Sequence, residues 1–203
     1  MDQLVKATAA DGQLRVFAAV TTGVVAEAMR RHDCWPVAAA ALGRTMTGAL
    51  LFAANLKNKE SVTIKFKGDG PLGTVTADAT AEGSVRGCVD HPHVHLPLNA
   101  HGKIDVGGGI GQGILSVTRF TGLKEPVTGS VNIVSGEIAD DLIHYLYTSE
   151  QTPSSIGLGV LVSPELQCLG AGGFFVQPLP GASDAVIDRL EANLKGISSV
   201  SHM

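Results

Sequence analysis

Residues 135–181 read SGEIADDLIHYLYTSEQTPSSIGLGVLVSPELQCLGAGGFFVQPLPG, and this stretch decides the fold class. Ser135 stands where it can cap a helix whose first turn carries Glu137, Asp140 and Asp141 against the positive end of the macrodipole. Ile138, Leu142, Tyr145 and Leu146 follow at helical spacing, so the helix has one apolar stripe to bury. After a polar turn through Pro153 come two strand-like runs, Ile156 to Val162 and Leu169 to Val176, separated by Ser163-Pro164-Glu165. The pattern is a helix followed by a hairpin. Phe174 and Phe175 are consecutive, and side chains alternate faces along a strand, so the two rings cannot enter one core. Either this sheet is covered on both sides, or one Phe lies on a surface that a subunit, a helix or a client covers.

Upstream, the hairpin reading repeats. Leu4 to Ala7 and Leu14 to Thr21 flank the Asp11-Gly12 turn and should pair. Thr22 can cap a helix through Val24, Val25, Ala28 and Met29 that ends on Arg30, Arg31 and His32, where cations suit the C-terminal dipole. Trp35-Pro36 starts a second helix running to about Leu56, proline being tolerated at the first helical position. Val62, Ile64 and Phe66 alternate with Thr63, Lys65 and Lys67, and the chain turns through Gly68 to Gly73 and returns, giving a hairpin with one wet face. Val85 to Val89 continues the meander, His91 to Leu98 is poor strand material, and Ile114 to Phe120 and Val127 to Val134 form a further hairpin. Ser183 or Asp184 opens a final helix stopped by Gly196. Strands outnumber helices, and the helices are grouped rather than alternating with strands. The expected class is α+β, with largely antiparallel β-sheets and helices packed against them.

At 203 residues and 44% hydrophobic content, the chain can build one substantial domain. A net charge of −4 with 17% charged residues leaves no electrostatic footprint for nucleic acid and no basic strip for an anionic membrane. The segment from Val37 to Leu56 is apolar enough to suggest a membrane span, but Arg44 near its centre would cost about 2.5–3.5 kcal/mol in lipid, so a buried helix of a soluble protein is expected. No signal peptide is apparent, which makes a cytoplasmic location the default. Three scattered cysteines, Cys34, Cys88 and Cys168, suit reduced thiols better than a disulfide framework.

The motifs that carry chemistry are weak. Gly68-Asp69-Gly70-Pro71-Leu72-Gly73 satisfies GxGxxG, yet Thr74 to Ala77 continues as strand rather than opening a helix, so a structural turn is expected. The glycines at 107, 108, 109, 111 and 113 lack the GK[ST] ending of a phosphate loop. His91, His93 and His95 alternate, with His101 nearby, which is a conceivable zinc or nickel set; Pro92 and Pro97 argue instead for a polar surface loop. Arg44 reads as a buried arginine satisfied by a carboxylate or helix carbonyls. Asp140, Asp141 and His144 are explained by helix capping, and the hydrolase signatures GxSxG, SxxK and HExxH do not occur.

Several long blocks in order carry a family resemblance: TTGVVAEAMRRHDCWPVAAAALGRTMTGALL from Thr21, IKFKGDGPLGTVTADA from Ile64, SGEIADDLIHYLYTSEQTPSSIGLGVLV from Ser135, and AGGFFVQPLPG from Ala171. Over residues 1–197 the chain resembles the bacterial redox-regulated heat-shock chaperones of thirty-three kilodaltons. The resemblance implies an α+β substrate-binding and dimerisation core domain over 1–197, an active homodimer, and ATP-independent holding of unfolding client proteins under oxidative and heat stress. It also implies a C-terminal zinc switch of CxC followed by CxxC. None of those four cysteines occurs in this sequence, so no cofactor is expected in this chain, zinc belonging only to the switch domain that is missing from it; the expectation is a truncated form with 198–203 as tail or vector residue.

A holdase needs no catalytic constellation, only apolar surface that is shielded and then uncovered. The candidate client-binding residues are Ile64, Phe66, Phe174 and Phe175, with no catalytic and no metal-binding residue. The alternatives are a small metal-dependent enzyme using His91, His93, His95 and His101, and a structural dimerisation module whose apolar face is satisfied by its twin.

Overall fold

A computed structural model describes residues 1–57, 59–197 and 200. The chain opens with the hairpin β1 (Gln3–Ala9) and β2 (Leu14–Val20), whose turn places Ala10, Asp11 and Gly12 in the left-handed region. Helix α1 (Thr22–His32) follows, then α2 (Pro36–Ala53). A meander of β3 (Ser61–Gly68), β4 (Thr74–Thr80) and β5 (Val85–Val89) leads through the histidine loop to the short α3 (Val106–Ile110). The chain closes with the hairpin β6 (Gly113–Phe120) and β7 (Val127–Asn132), helix α4 (Ala139–Thr148), the hairpin β8 (Ser155–Val162) and β9 (Cys168–Pro178), and α5 (Asp184–Lys195).

All strand pairs are antiparallel, in a four-stranded sheet of order β1-β2-β9-β8 and a five-stranded sheet of order β5-β4-β3-β6-β7. The class is therefore α+β, as expected. Helix α2 packs against strands of both sheets. Every residue of α2 except Pro36 and Arg44 is buried, which is the signature of a helix enclosed on all sides. Its run of alanines keeps it thin enough to be gripped: a methyl added at Gly43 would press on Val25 and Val160. Two threonines inside it are satisfied locally, Thr45 Oγ1 donating to Ala41 O at 2.8 Å and Thr47 Oγ1 to Gly43 O at 2.9 Å. This is the segment long and apolar enough to cross a membrane, and 89% of it is buried inside the fold. It is a core helix.

Two local expectations are corrected. Thr22 does not cap α1; its hydroxyl instead accepts from Ala171 N at 3.1 Å, and the helix N-terminus is closed by Asp2, whose carboxylate accepts from Gly23 N (2.8 Å) and Val24 N (2.7 Å). A cap twenty residues away leaves no local signal. Ser135 does not cap α4 either, because Gly136 turns the chain at φ +73° and the helix begins at Ala139. Here Asp141 reaches back from inside the helix and accepts from Val134 N at 2.6 Å and Ser135 Oγ at 3.1 Å. The glycine cluster forms α3, capped by Asp105 through Gly108 N at 2.8 Å. The expected extraneous residues Ser201-His202-Met203 lie outside the described residues.

Candidate functional site

Cross-strand partners share a face, so the register assigns every residue of the two hairpins. Phe17 pairs with Phe175, and Ile156 pairs with Phe175 from the other side; all three are buried. The Phe175 ring stands 5.7 Å from that of Phe17 and 6.1 Å from that of Phe52 of α2, which marks the inner face. Ala18 pairs with Phe174, and Gly157 pairs with Phe174 from β8, which marks the outer face. Of the consecutive pair, then, Phe175 belongs to the core and Phe174 to the opposite surface.

That outer surface is largely apolar, with Gln3 and Ser155 at its ends. Val5, Ala18 and Val20 of the first hairpin lie on it, together with Gly172, Gly159 and Leu161 of the second. Leu14 and Val176, also on this face, are buried at the end from which the chain leaves for α5. The other end is open: Val5 is 54% exposed, Val20 52% and Leu169 58%. Between them runs a groove of about 560 Å³, floored by Gly170, Gly172 and Gly173 and walled by Leu161, Leu169 and Phe174. Glycine is needed beside the wall, since a Cβ at Gly157 would collide with the Phe174 ring lying across it.

The five-stranded sheet is the physical contrast. Its outer face carries Ser61, Thr63, Lys65 and Lys67 on β3, opposed by Thr80, Asp78, Thr76 and Thr74 on β4. Hydroxyl pairs cross it, Ser116 with Ser130 and Thr118 with Thr128, each at 2.9 Å, and Arg86 Nε donates to Asp78 Oδ2 at 3.0 Å. That face is built for water. The first sheet's outer face is built to be covered.

The four candidate residues accordingly separate. Ile64 and Phe66 are wholly buried beneath the five-stranded sheet, because the alternation that makes β3 a strand turns them inward with Val62. Neither lies at the surface in this structure. Phe175 lies on the inner face, away from the groove. Of the four, Phe174 alone reaches the outer face. The register brings it together with Val5, Val20, Leu161 and Leu169, which had not been singled out. A signal existed: Val16, Ala18 and Val20 alternate with Phe17 and Ala19, so the strand is apolar on both sides, and so is Ile156 to Val162.

The polar candidates resolve into structural roles. Arg44 Nη1 donates to Glu137 Oε2 at 2.7 Å, so the expected carboxylate partner is present; Arg44 Nε is buried without a partner among the described residues. Burial, with Glu137 and Asp141 close by, pushes the Asp140 carboxyl above its ordinary value. His93 Nε2 lies 2.8 Å from Asp33 Oδ2 and its ring stacks at 5.6 Å on Trp35, tying the histidine loop to the end of α1. His91 is held by its backbone N–H on Leu72 O, and His101 N donates to Asn99 Oδ1. Among the described residues no three histidine, cysteine or acidic side chains stand close enough to share a metal ion. Cys34 is buried and its thiol is pushed up to about 11, mainly by that burial and then by Asp33. Cys168 is also pushed upward by burial, while Cys88 is exposed.

The sequence matches the family model described as Hsp33 protein over residues 2–203. It is 52% identical over 202 residues to the 33 kDa chaperonin of Desulforamulus reducens, covering all of this chain and 69% of that protein. To the 33 kDa chaperonin of Bacillus licheniformis it is 52% identical over 204 residues, covering all of this chain and 71% of that protein. Among solved structures, the 33 kDa chaperonin (heat shock protein 33 homolog) of Thermotoga maritima superposes with a TM-score of 0.93 at 42% identity, covering 97% of this chain and 68% of that one.

Proposed function

The chain belongs to the Hsp33 family of chaperones, and on that premise we propose that it is an ATP-independent holdase of the bacterial cytoplasm that captures unfolding proteins on the outer face of its four-stranded sheet. The observation that carries the reading is the apolar groove around Phe174, on a sheet whose opposite face packs against α2. Apolar side chains more than half exposed on one continuous strand surface are costly to leave in water unless something covers them. Burying a patch of about 300 Å² at about 25 cal/mol per Å² yields roughly 7 kcal/mol before the cost of ordering the client, which suits reversible, sequence-tolerant holding.

The redox switch that the family resemblance implies requires four clustered thiolates. The three cysteines of this sequence lie on α1's exit, β5 and β9, and burial disfavours the thiolate of Cys34 and Cys168. The same groove would serve a second copy of the chain, and a homodimer through it is the second reading, supported by the exposure of Val5, Val20 and Leu169.

The test is suppression of light scattering from a heat-unfolded client, without ATP or oxidant, by the parent protein and by Val20→Asp and Leu169→Asp. Loss of suppression in both variants, with unchanged thermal unfolding, is expected. Full suppression by both variants would overturn the assignment of the face. If the groove instead serves only a twin, a hydrophobic dye will bind it on dilution while the scattering is not suppressed at any concentration.

A further inference from the structure

A second cleft opens between the two sheets, on the side of the four-stranded sheet away from the Phe174 groove. It measures about 510 Å³, within the range of small-molecule sites. Its floor is aromatic, made by Phe17 and Phe175 of the inner face and by Phe52 near the end of α2. Its rim is cationic. Arg15 and Arg119 both line it, against the single carboxylate of Glu150, which leaves one uncompensated positive charge.

The guanidinium groups are held in place but not exhausted. Arg119 donates Nε (3.2 Å) and Nη2 (2.6 Å) to the same oxygen, Glu150 Oε1, and its Cζ lies 5.8 Å from the centroid of the Phe52 ring. Only about a quarter of either side chain is exposed, so this pair is fixed rather than a loose surface contact. Arg15 spends Nη1 on Asn55 Oδ1 at 2.7 Å, and its Nε and Nη2 make no hydrogen bond among the described residues. Thr152 lines the same cleft, with an Oγ1 that is buried and without a partner among the described residues.

We propose that this cleft is a binding site for a small amphipathic monocarboxylate, its ring or chain against Phe17, Phe52 and Phe175 and its carboxylate on Arg15 and Arg119. An aromatic floor selects an apolar body, and two restrained guanidiniums facing one resident carboxylate select a single added negative charge. The site shares no lining residue with the Phe174 groove and stands independently of the chaperone reading.

The test is an NMR titration of the whole chain with 4-phenylbutyrate, with 4-phenyl-1-butanol as the uncharged control. The carboxylate should bind at least about tenfold tighter than the alcohol at low ionic strength, and the gap should narrow in concentrated salt. The largest shifts should fall on the side-chain amides of Asn55 and Gln177 at the rim. Arg15→Gln should bring the two probes close to parity, and Glu150→Gln, which removes the resident negative charge, should tighten phenylbutyrate several-fold. Equal affinity for acid and alcohol, or shifts centred on Val20 and Leu169, would overturn the proposal. Should Arg15→Gln fail to fold, the charge comparison in the parent and the Glu150→Gln response decide the matter.

Discussion

Replacing each of the two consecutive phenylalanines by alanine separates the two faces of the four-stranded sheet. Phe175 is 6% exposed and its ring sits between Phe17 and Phe52. Truncating a buried phenylalanine removes its transfer free energy and leaves a cavity that a core gripped by α2 cannot readily close. The expected cost is about 3–5 kcal/mol. For a domain of this size each kilocalorie lowers Tm by roughly 2–4 °C, so Phe175→Ala should melt about 6–20 °C below the parent. Phe174 lies on the outer face and is only half-buried, so Phe174→Ala should cost no more than about 1.5 kcal/mol. Its effect should appear instead as weaker suppression of client aggregation. Urea unfolding followed by far-UV circular dichroism measures both, and a shared slope confirms that only stability has changed. Equal losses for the two variants would refute the assignment of the rings to opposite faces, and with it the outward groove.

Further outcomes follow from the same geometry. Gly68→Ala should fail to fold or lose several kcal/mol, because its Cβ would fall inside contact distance of Ile110 O, a backbone atom that cannot swing away; soluble expression and thermal melting report it. Asp140 has its folded value raised, first by burial and then by Glu137 and Asp141, with Arg44 offsetting part of the shift. Its contribution is therefore favourable below the ordinary aspartate value near 3.8 and is lost as pH rises through the raised one. Asp140→Asn should consequently be more stable than the parent at pH 7 and converge with it near pH 3, as urea midpoints across that range will show. Alkylation by iodoacetamide should modify Cys88 rapidly, while Cys34, buried with its thiol pushed up to about 11, should react only at the rate of unfolding.

Most of the architecture was legible because it rests on local periodicity. The alternation of Val62, Ile64 and Phe66 with Thr63, Lys65 and Lys67 marks a one-sided strand, and Pro36 followed by an alanine run marks a core helix. What was not legible depends on residues distant in sequence. The Asp2 carboxylate caps a helix that begins at Thr22, an arrangement that exists only once the tertiary fold has brought the groups together. The site was half legible. Two adjacent phenylalanines declare that a sheet has two apolar faces, but which ring is outward, and which side chains join it, is set by the register of Ala18 and Gly157 against Phe174. Ile64 and Phe66 face the core, and an apolar strand face looks the same in sequence whether α2 or a client covers it.

The central claim is that unfolding proteins are held on the outer face of the four-stranded sheet, and site-specific photo-cross-linking tests it most directly. A photoreactive amino acid would be placed at Val20 and at Leu169 on that face, and at Thr118 on the hydroxyl-lined outer face of the five-stranded sheet. With a heat-unfolded client present, covalent adducts should form from Val20 and Leu169 and not from Thr118. Adducts from Thr118 alone, or equally from all three positions, would contradict the account.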